Sequence, residues 1–319
     1  MSARAVELSV IIVSYNTSAL LRNCLSSLQQ AEEEAALEII VIDNASRDGS
    51  AEMVTQEFPH IMLIKNPSNA GFAAANNQGL RVARGKFLLL LNSDTEVRTG
   101  ALAHCRDFLR ARSEAGIVGC KLLNADGSVQ PSCESFLSLS NLFFENFFWE
   151  KIFPRSRWFG RRALSYFAYD RVLQVDYVKG AFLMITRRAF EDLGLLDEKF
   201  FFYAEEMDWC YRARQKGWQV YFTPGGEVLH YGGQSSDPVS PATFVQLHRA
   251  RYQFYRKHHN AFSSAIARVI MASGALLRAG LWMLLVAYRV LFARSQVQVA
   301  RKRFAAFGAA ALWLLASKE

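Results

Sequence analysis

Cysteine is scarce and scattered. The five residues, at positions 24, 105, 120, 133 and 210 of 319, form no pair at metal-ligand spacing and leave an odd thiol if the others join. No disulfide framework follows, and a reducing compartment is expected. No strand-like run leads into GxGxxG or GxxxxGK[ST], so dinucleotide and P-loop readings lose their main support. The N-terminus enters a short apolar segment within seven residues, and that segment ends in Ser14-Tyr15-Asn16 without the length or cleavage site of a signal peptide. Acids are missing from one end. Residues 238–319 hold 12 Lys/Arg and only Glu319 as an acid, a net of +11, whereas residues 1–237 hold 25 against 28, a net of −3 within the overall +8. What is plentiful is apolar: 51% hydrophobic residues, with 24 Phe, 11 Tyr and 6 Trp, exclude a disordered chain.

The basic end is also apolar. From Ile266 to Phe292 the only charged residues are Arg268, Arg278 and Arg289, and a second apolar run covers Phe304 to Ala316. Cations without acids on an apolar helix suit an anionic membrane surface, whereas nucleic-acid binders display theirs on a polar stripe. Anionic lipids are therefore the expected partner and nucleic acid is not; a helical cap on the core or a homo-oligomer interface are the other uses of such a segment. On a helix Arg268, Arg278, Arg289 and Arg294 fall within an arc of about 160°, from which guanidinium groups could reach headgroups. A membrane-spanning placement would put Arg278 near mid-bilayer at roughly 2.5 to 3.5 kcal/mol. The expectation is a region, residues 261–319, that lies on the cytoplasmic membrane face without crossing it, attached to a domain over residues 1–260.

That domain reads as α/β. Leu8–Val13, Glu38–Ile42, Ile61–Lys65 and Phe87–Leu91 are short β-branched and aliphatic runs. Helical spacings lie between them: Thr17–Ala31, Ala51–Phe58 and a segment from Asn69-Ala70-Gly71 to Ala83. Such alternation implies a parallel sheet covered on both faces, with ligands beyond the carboxyl ends of the strands. The residues there are Asn16, Asp43, Asn44, Asn92 and Asp94. Further on, a helix over Leu102–Arg112 and strands over Gly116–Leu123, Val172–Val178 and Phe182–Thr186 are expected. A short helix over Arg187–Leu193 follows, then one from Glu205 to Gln215 and strands at Tyr221–Thr223 and Val228–His230. Residues 131–170 are aromatic and irregular, either a lipid-facing or acceptor-binding lid or simply buried against the core.

Taken in order, these motifs resemble family 2 glycosyltransferases, in particular their rhamnosyltransferase-like branch. The matching residues are Val13-Ser14-Tyr15-Asn16, Asp43-Asn44-Ala45-Ser46, Asp48-Gly49-Ser50, Gly71-Phe72-Ala73 with Asn76-Asn77, Leu91-Asn92-Ser93-Asp94, Gly180-Ala181-Phe182, Leu195-Leu196-Asp197-Glu198, Glu205-Glu206-Met207-Asp208-Trp209-Cys210 with Arg212, and His230 before Gly232 and Ser235. They span residues 8 to 236.

The resemblance implies a GT-A fold, a Rossmann-like mixed sheet flanked by helices, acting on a nucleotide-sugar donor with Mg²⁺ or Mn²⁺ and inverting the anomeric carbon. It places the nucleotide sugar on Ser14, Tyr15, Asn16 and Asp43, with Asn76, Asn92 and Ser93 alongside. Asp94, in a variant Asp-x-Asp motif, is the chief metal ligand, and His230 a second metal or diphosphate contact. Of the acids Glu205 and Glu206 the second stands where the family has its base, and Gly180, Ala181, Asp208 and Arg212 fall on the acceptor side. The branch suggests transfer of L-rhamnose from dTDP-L-rhamnose to a polyprenyl-diphosphate-linked saccharide. UDP-galactofuranose, UDP-N-acetylglucosamine or UDP-glucose are alternative donors, and an inactive assembly subunit is the non-enzymatic alternative. The residue types suit the chemistry independently, because carboxylates and a divalent cation bridge a diphosphate and direct displacement needs a carboxylate to take the acceptor proton.

Overall fold

A computed structural model of the chain describes residues 6–31, 36–233, 240–293 and 296–317; Ser235 and Arg294, singled out above, lie outside these. The four aliphatic runs become β1 (Leu8–Ser14), β2 (Leu37–Asp43), β3 (Met62–Lys65) and β4 (Phe87–Asn92), joined through α1 (Ser18–Ala31), α2 (Ser50–Glu57) and α3 (Phe72–Val82). They pair in parallel in the order β3-β2-β1-β4. Leu8, Val10, Ile11 and Ile12 are all fully buried, which requires cover on both faces of β1. Gly79 shows how close that cover is. A Cβ there would come within 2.5 Å of the Ile11 side chain, so α3 lies directly on the sheet.

The rest of the sheet is mixed. In chain order come β5 (Thr95–Val97), α4 (Ala101–Arg110), β6 (Ala115–Leu123), β7 (Val129–Gln130) and β8 (Cys133–Glu134). The helices α5 (Leu139–Asn146) and α6 (Trp149–Ile152) follow. Then come β9 (Leu173–Gln174), β10 (Tyr177–Val178), β11 (Phe182–Thr186), α7 (Arg187–Leu193), α8 (Glu205–Gln215) and β12 (Gln219–His230). The order continues β4-β11-β6-β12-β5, with β11 antiparallel to both neighbours and β12 parallel to β6 but antiparallel to β5. This is the GT-A arrangement that the motif order implied.

Local differences have local causes. The expected pair of strands at 221–223 and 228–230 is one strand, because an irregularity between Thr223 and Glu227 absorbs Pro224-Gly225-Gly226 while pairing with β6 continues. The expected strand over 172–178 divides into β9 and β10, which pair with different partners, β12 and β8. Strand β5 is too short to show a period.

The chain forms two compact units: residues 1–136, 167–201 and 205–235, which carry the sheet, and 137–166, 202–204 and 236–319. The helical unit takes in more than the expected 261–319. It holds α5, α6, α9 (Pro241–His258), α10 (Ala261–Tyr288), a π-helical turn over Arg289–Ala293, and α11 (Val297–Ala316). Most of the irregular aromatic stretch, residues 137–166, belongs here, where Glu145 accepts from Arg251 at 3.1 Å and pairs with Arg162 at 2.8 Å. Helix α9 shows itself by its caps: Ser240 accepts from the Thr243 amide, Pro241 opens the helix, and Arg256, Lys257 and His258 close it.

Of the four arginines in the arc, the three that are described donate to main-chain carbonyls within the protein. Arg278 donates to the Asn146 carbonyl at 2.7 Å and to that of Glu145, and stacks over the Phe148 ring at 4.6 Å. Arg268 donates to the carbonyls of Leu314 and Ser317, capping the end of α11 and fixing α10 and α11 as antiparallel neighbours. Arg289 donates to the Gln296 carbonyl at 3.0 Å. Carbonyls in the last turn of a helix lack intrahelical donors, and the guanidinium groups of Arg268 and Arg278 fill that need at the ends of α11 and α5. What α10 and its π-helical continuation expose is apolar: Leu284, Leu291 and Phe292 are 64%, 71% and 75% accessible. By length and composition Ala261–Phe292 is the one stretch among the described residues able to cross a membrane.

Candidate active site

The site is built at the carboxyl ends of the strands. Strand β4 ends at Asn92, and the chain turns through Ser93 and Asp94 into β5, whose Thr95 stands opposite His230 at the end of β12. The Tyr231 amide donates to the Asp94 carbonyl at 3.0 Å, locking the two strand ends together. Their side chains converge: His230 Nε2 lies 3.3 Å from Asp94 Oδ1 and 3.3 Å from the Asn92 amide nitrogen. Both Asp94 and His230 are largely buried, with 7% and 13% of their side chains accessible.

This pair suits a divalent cation. Adjacent ligands of an octahedral ion with bonds of about 2.1 Å stand about 3.0 Å apart, close to the 3.3 Å between the Asp94 and His230 atoms. Among the described residues no group of three or more His, Cys, Asp or Glu could hold a metal. Asp94 and His230 would thus supply two ligands, leaving the remaining positions to a diphosphate and water.

At the end of β2, Asp43 is buried beside Ser14 in the β1–β2 register. One oxygen accepts the Ser46 amide at 3.3 Å, while Oδ1 is buried with no partner among the described residues. A buried acceptor left without a donor carries a desolvation cost that a ligand N–H or hydroxyl would relieve.

The other predicted nucleotide contacts are differently placed. Ser14 is fully buried and shares a hydroxyl chain with Thr17 and Ser93, at 3.0 and 2.9 Å. Asn16, in left-handed conformation with φ 54°, ties β1 to the next loop by donating its amide to Ser46 and accepting from the Arg47 amide. Tyr15 is half-buried between them. Asn76 is 1% exposed and donates to the Phe72 carbonyl one turn back in α3. Asp48 is a cap, accepting from the Ser18 and Ser50 amides. Of these side chains Ser14 and Asn76 are buried in the framework around Asp43, whereas Asn16 is exposed.

Helix α8 begins with the two acids. The residues before it, Tyr203 and Ala204, both have positive φ, 73° and 68°, an uncommon conformation for non-glycine residues. Glu205 is buried and Glu206 half-buried, and each keeps an Oε2 without a partner among the described residues. Burial pushes the Glu206 carboxyl up to about 7, with Glu134 adding to the rise and Lys179 opposing it. Burial and the charge of Glu206 hold Glu205 well above the ordinary carboxylate range. Glu134 is itself held by the Tyr177 hydroxyl and by Lys179 at 3.6 Å.

The predicted acceptor-side residues divide. Asp208 is fully buried and pairs with Arg212 at 2.9 Å, and Arg212 spends further N–H groups on the Leu193 and Leu195 carbonyls. That network joins α8 to the preceding loop. Gly180 and Ala181 lie at the start of β11, and the Ala181 carbonyl accepts the Asn92 amide at 3.2 Å. Gly71 has φ 84°, and a Cβ there would fall 2.6 Å from the Phe201 carbonyl, so only glycine lets these loops meet. Sequence reasoning missed Gln130, Glu134 and Lys179. The Asp126-Gly127 turn signals the hairpin that carries the first, and Lys179-Gly180 marks the last.

The sequence model of glycosyl transferase family 2 matches residues 9–169, half of the chain, and the chain belongs to that family. It is 25% identical over 292 residues to the N-acetylglucosaminyl-diphospho-decaprenol L-rhamnosyltransferase of Mycobacterium tuberculosis, covering 86% of this chain and 92% of that one. To the low-salt glycan biosynthesis hexosyltransferase Agl10 of Haloferax volcanii it is 25% identical over 307 residues, 94% and 90% of the two chains. In fold it is similar to the mannosyltransferase PcManGT from Pyrobaculum calidifontis, solved with GDP-Man and Mn²⁺. The TM-score is 0.56 at 18% identity, over 100% of this chain and 89% of that one.

Proposed function

We propose that the protein is an inverting, metal-dependent glycosyltransferase that moves L-rhamnose from dTDP-L-rhamnose to a polyprenyl-diphosphate-linked saccharide at the cytoplasmic membrane face. The observation that carries the reaction class is the convergence of Asp94 Oδ1 and His230 Nε2 at 3.3 Å beyond the sheet. The likeness to a rhamnosyltransferase named for a lipid-diphosphate acceptor supports the choice of sugar and acceptor.

Asp94 and His230 would hold Mg²⁺ or Mn²⁺, and Asp43 would accept a hydrogen bond from the base or ribose through its open oxygen. The cation, when bound, offsets the charge that gathers on the leaving diphosphate. Glu206 is the base. It takes the proton of the acceptor hydroxyl as the new bond to the anomeric carbon forms and the bond to the diphosphate oxygen breaks, on opposite faces of the sugar. A carboxyl pushed up to about 7 is a stronger proton acceptor than an ordinary one and is still substantially ionised at neutral pH. Glu205, the more buried acid, supports it.

The exposed apolar residues of α10 and the turn after it, Leu284, Leu291 and Phe292, rest in the bilayer interface, with the acid-free, basic composition of residues 238–317 favouring anionic lipids. A lipid-linked acceptor cannot leave the bilayer cheaply, so the enzyme must come to it. Turnover of dTDP-L-rhamnose with a polyprenyl-diphosphate-N-acetylglucosamine acceptor, compared with UDP-galactofuranose, UDP-N-acetylglucosamine and UDP-glucose, each with Mn²⁺ and after chelation, tests the reading. Metal-dependent transfer from dTDP-L-rhamnose is expected. Transfer from a UDP-sugar instead would replace the donor, and turnover of none would leave an assembly subunit.

A further inference from the structure

His230 is held from behind by a chain of hydrogen bonds that runs to a surface turn, and the direction of every link can be worked out from its ends. At the outer end is Asp126, an ionised carboxylate that can only accept, its carboxyl held low first by the Ser128 hydroxyl. Ser128 donates that hydroxyl to Asp126 Oδ1 at 2.6 Å and therefore accepts from the Asn124 side-chain amide at 2.9 Å. Asn124 then presents its oxygen the other way, to the Gln130 amide nitrogen at 2.9 Å. The second hydrogen of that nitrogen goes to the main-chain carbonyl of His230 at 3.2 Å, another group that can only accept. Both ends thus agree on which way the Gln130 amide faces. Its Oε1 is left pointing at His230 Nδ1, 2.6 Å away.

We propose that Gln130, oriented by the Asn124–Ser128–Asp126 turn, holds His230 in the tautomer protonated at Nδ1 and so keeps Nε2 unprotonated beside Asp94 as a preformed cation claw. A free histidine side chain favours the tautomer protonated at Nε2, so this one is imposed by the site. Asn92 agrees with it, since its amide donates toward Nε2 at 3.3 Å. The neighbouring Asp94 Oδ1, also 3.3 Å away, then faces a lone pair with a lone pair. A cation bound by both atoms removes that conflict. Gln130 touches neither cation nor sugar; it is a positioning residue, comparable to the outer partners that orient metal-bound histidines elsewhere.

The proposal rests on the metal-dependent reading, but its first test needs no metal. The full chain labelled with ¹⁵N in its six histidine rings, at a pH where imidazole is neutral, reports which nitrogen of His230 carries the proton; His230→Asn identifies its signals. Protonation at Nδ1 is expected, and protonation at Nε2 or at both nitrogens overturns the proposal. Gln130→Leu should release the preference, and Gln130→Glu should keep it, since a carboxylate accepts from Nδ1–H equally well. If Gln130 were merely a packing residue, the order would reverse, because a buried carboxylate facing the His230 carbonyl and Asn124 Oδ1 disturbs the fold more than leucine does.

The second readout is Mn²⁺ binding followed by its electron paramagnetic resonance signal, with dTDP and separately with UDP present. Gln130→Leu is expected to weaken Mn²⁺ by about 10–100-fold and Gln130→Glu by only a few-fold. Unchanged Mn²⁺ affinity in folded Gln130→Leu overturns the claw. A wild type that carries the Nδ1 proton yet binds no Mn²⁺ with either nucleotide overturns the metal-dependent reading instead, and the tautomer clamp stands.

Discussion

Helix α8 holds two acidic regions a single turn apart, and they are wired in opposite ways. At Asp208 the carboxylate meets Arg212 at 2.9 Å, and the arginine spends its remaining reach on two loop carbonyls. At Glu205 and Glu206 an oxygen of each is buried with no partner among the described residues. The first arrangement is closed and stabilises the loop; the second is open and costs stability, since an unpaired buried acceptor forfeits its hydration. The same contrast separates Arg278, closed on carbonyls in the helical unit, from Asp94 and His230, whose facing atoms stand 3.3 Å apart, the spacing of two adjacent ligands of one ion. Residue type does not distinguish these cases, because both contain acids and bases within bonding distance. What distinguishes them is whether every donor and acceptor is already used.

The comparison can be broken first at Asp94. Asp94→Ala removes the carboxylate of the proposed claw, and sugar transfer should fall by about 10³-fold, as expected for several kcal/mol of charge stabilisation, with Mn²⁺ affinity lost in parallel. Full activity of the metal-stripped wild type in excess EDTA would contradict this.

Glu206→Gln keeps shape and removes a proton acceptor. The kcat is expected to drop by at least about 10²-fold while donor affinity stays near wild type; loss in Glu205→Gln with normal turnover in Glu206→Gln would exchange the two roles. The wild-type kcat should rise with pH through about 7, the value to which Glu206 is pushed, because the base works deprotonated. Stability should move the other way. With the folded carboxyl above the ordinary 4.5, the native chain holds a proton that the unfolded chain releases, so stability falls as pH rises through that window. Thermal unfolding of Glu206→Gln should show a flatter pH dependence than wild type.

The closed network should respond in the opposite sense. Asp208→Ala strands the Arg212 charge and is expected to cost about 3 kcal/mol of stability, measured by denaturant unfolding, while the protein that remains folded keeps its kcat. A collapse of kcat with stability unchanged would move Asp208 into the open class. A smaller effect is expected at the exposed apolar tip of the helical unit. Serine at Leu284, Leu291 and Phe292 together should weaken binding to anionic vesicles by at least about tenfold, read by flotation, with donor turnover in solution unchanged.

Much of this was legible in the chain itself. The four parallel strands announce themselves because a strand buried on both faces must be apolar throughout, as Val10 to Ile12 and Leu88 to Leu91 are. Asp43, Asn92 and Asp94 stand out because they interrupt such runs at their ends. Strand β5 was not legible, because three residues are too few for a period; helix α9 was not expected either, although its caps and the i, i+4, i+7 spacing of His248, Tyr252 and Tyr255 are signals that could have found it. The tail arginines misled because periodicity reports which side of a helix a residue occupies and says nothing of what lies against that side.

By itself the sequence determined the family, the sheet-forming runs and the order of the strand-end residues, since these depend on local hydrophobicity and on motifs whose spacing is covalent. Only the tertiary structure decided which polar groups are already satisfied. Gln130 and His230 are a hundred positions apart, and nothing local in either says that an amide between them fixes a proton. Hydrogen-bond direction is a property of a whole network with its acceptor-only ends in place, and those ends meet only once β6, β7 and β12 have paired.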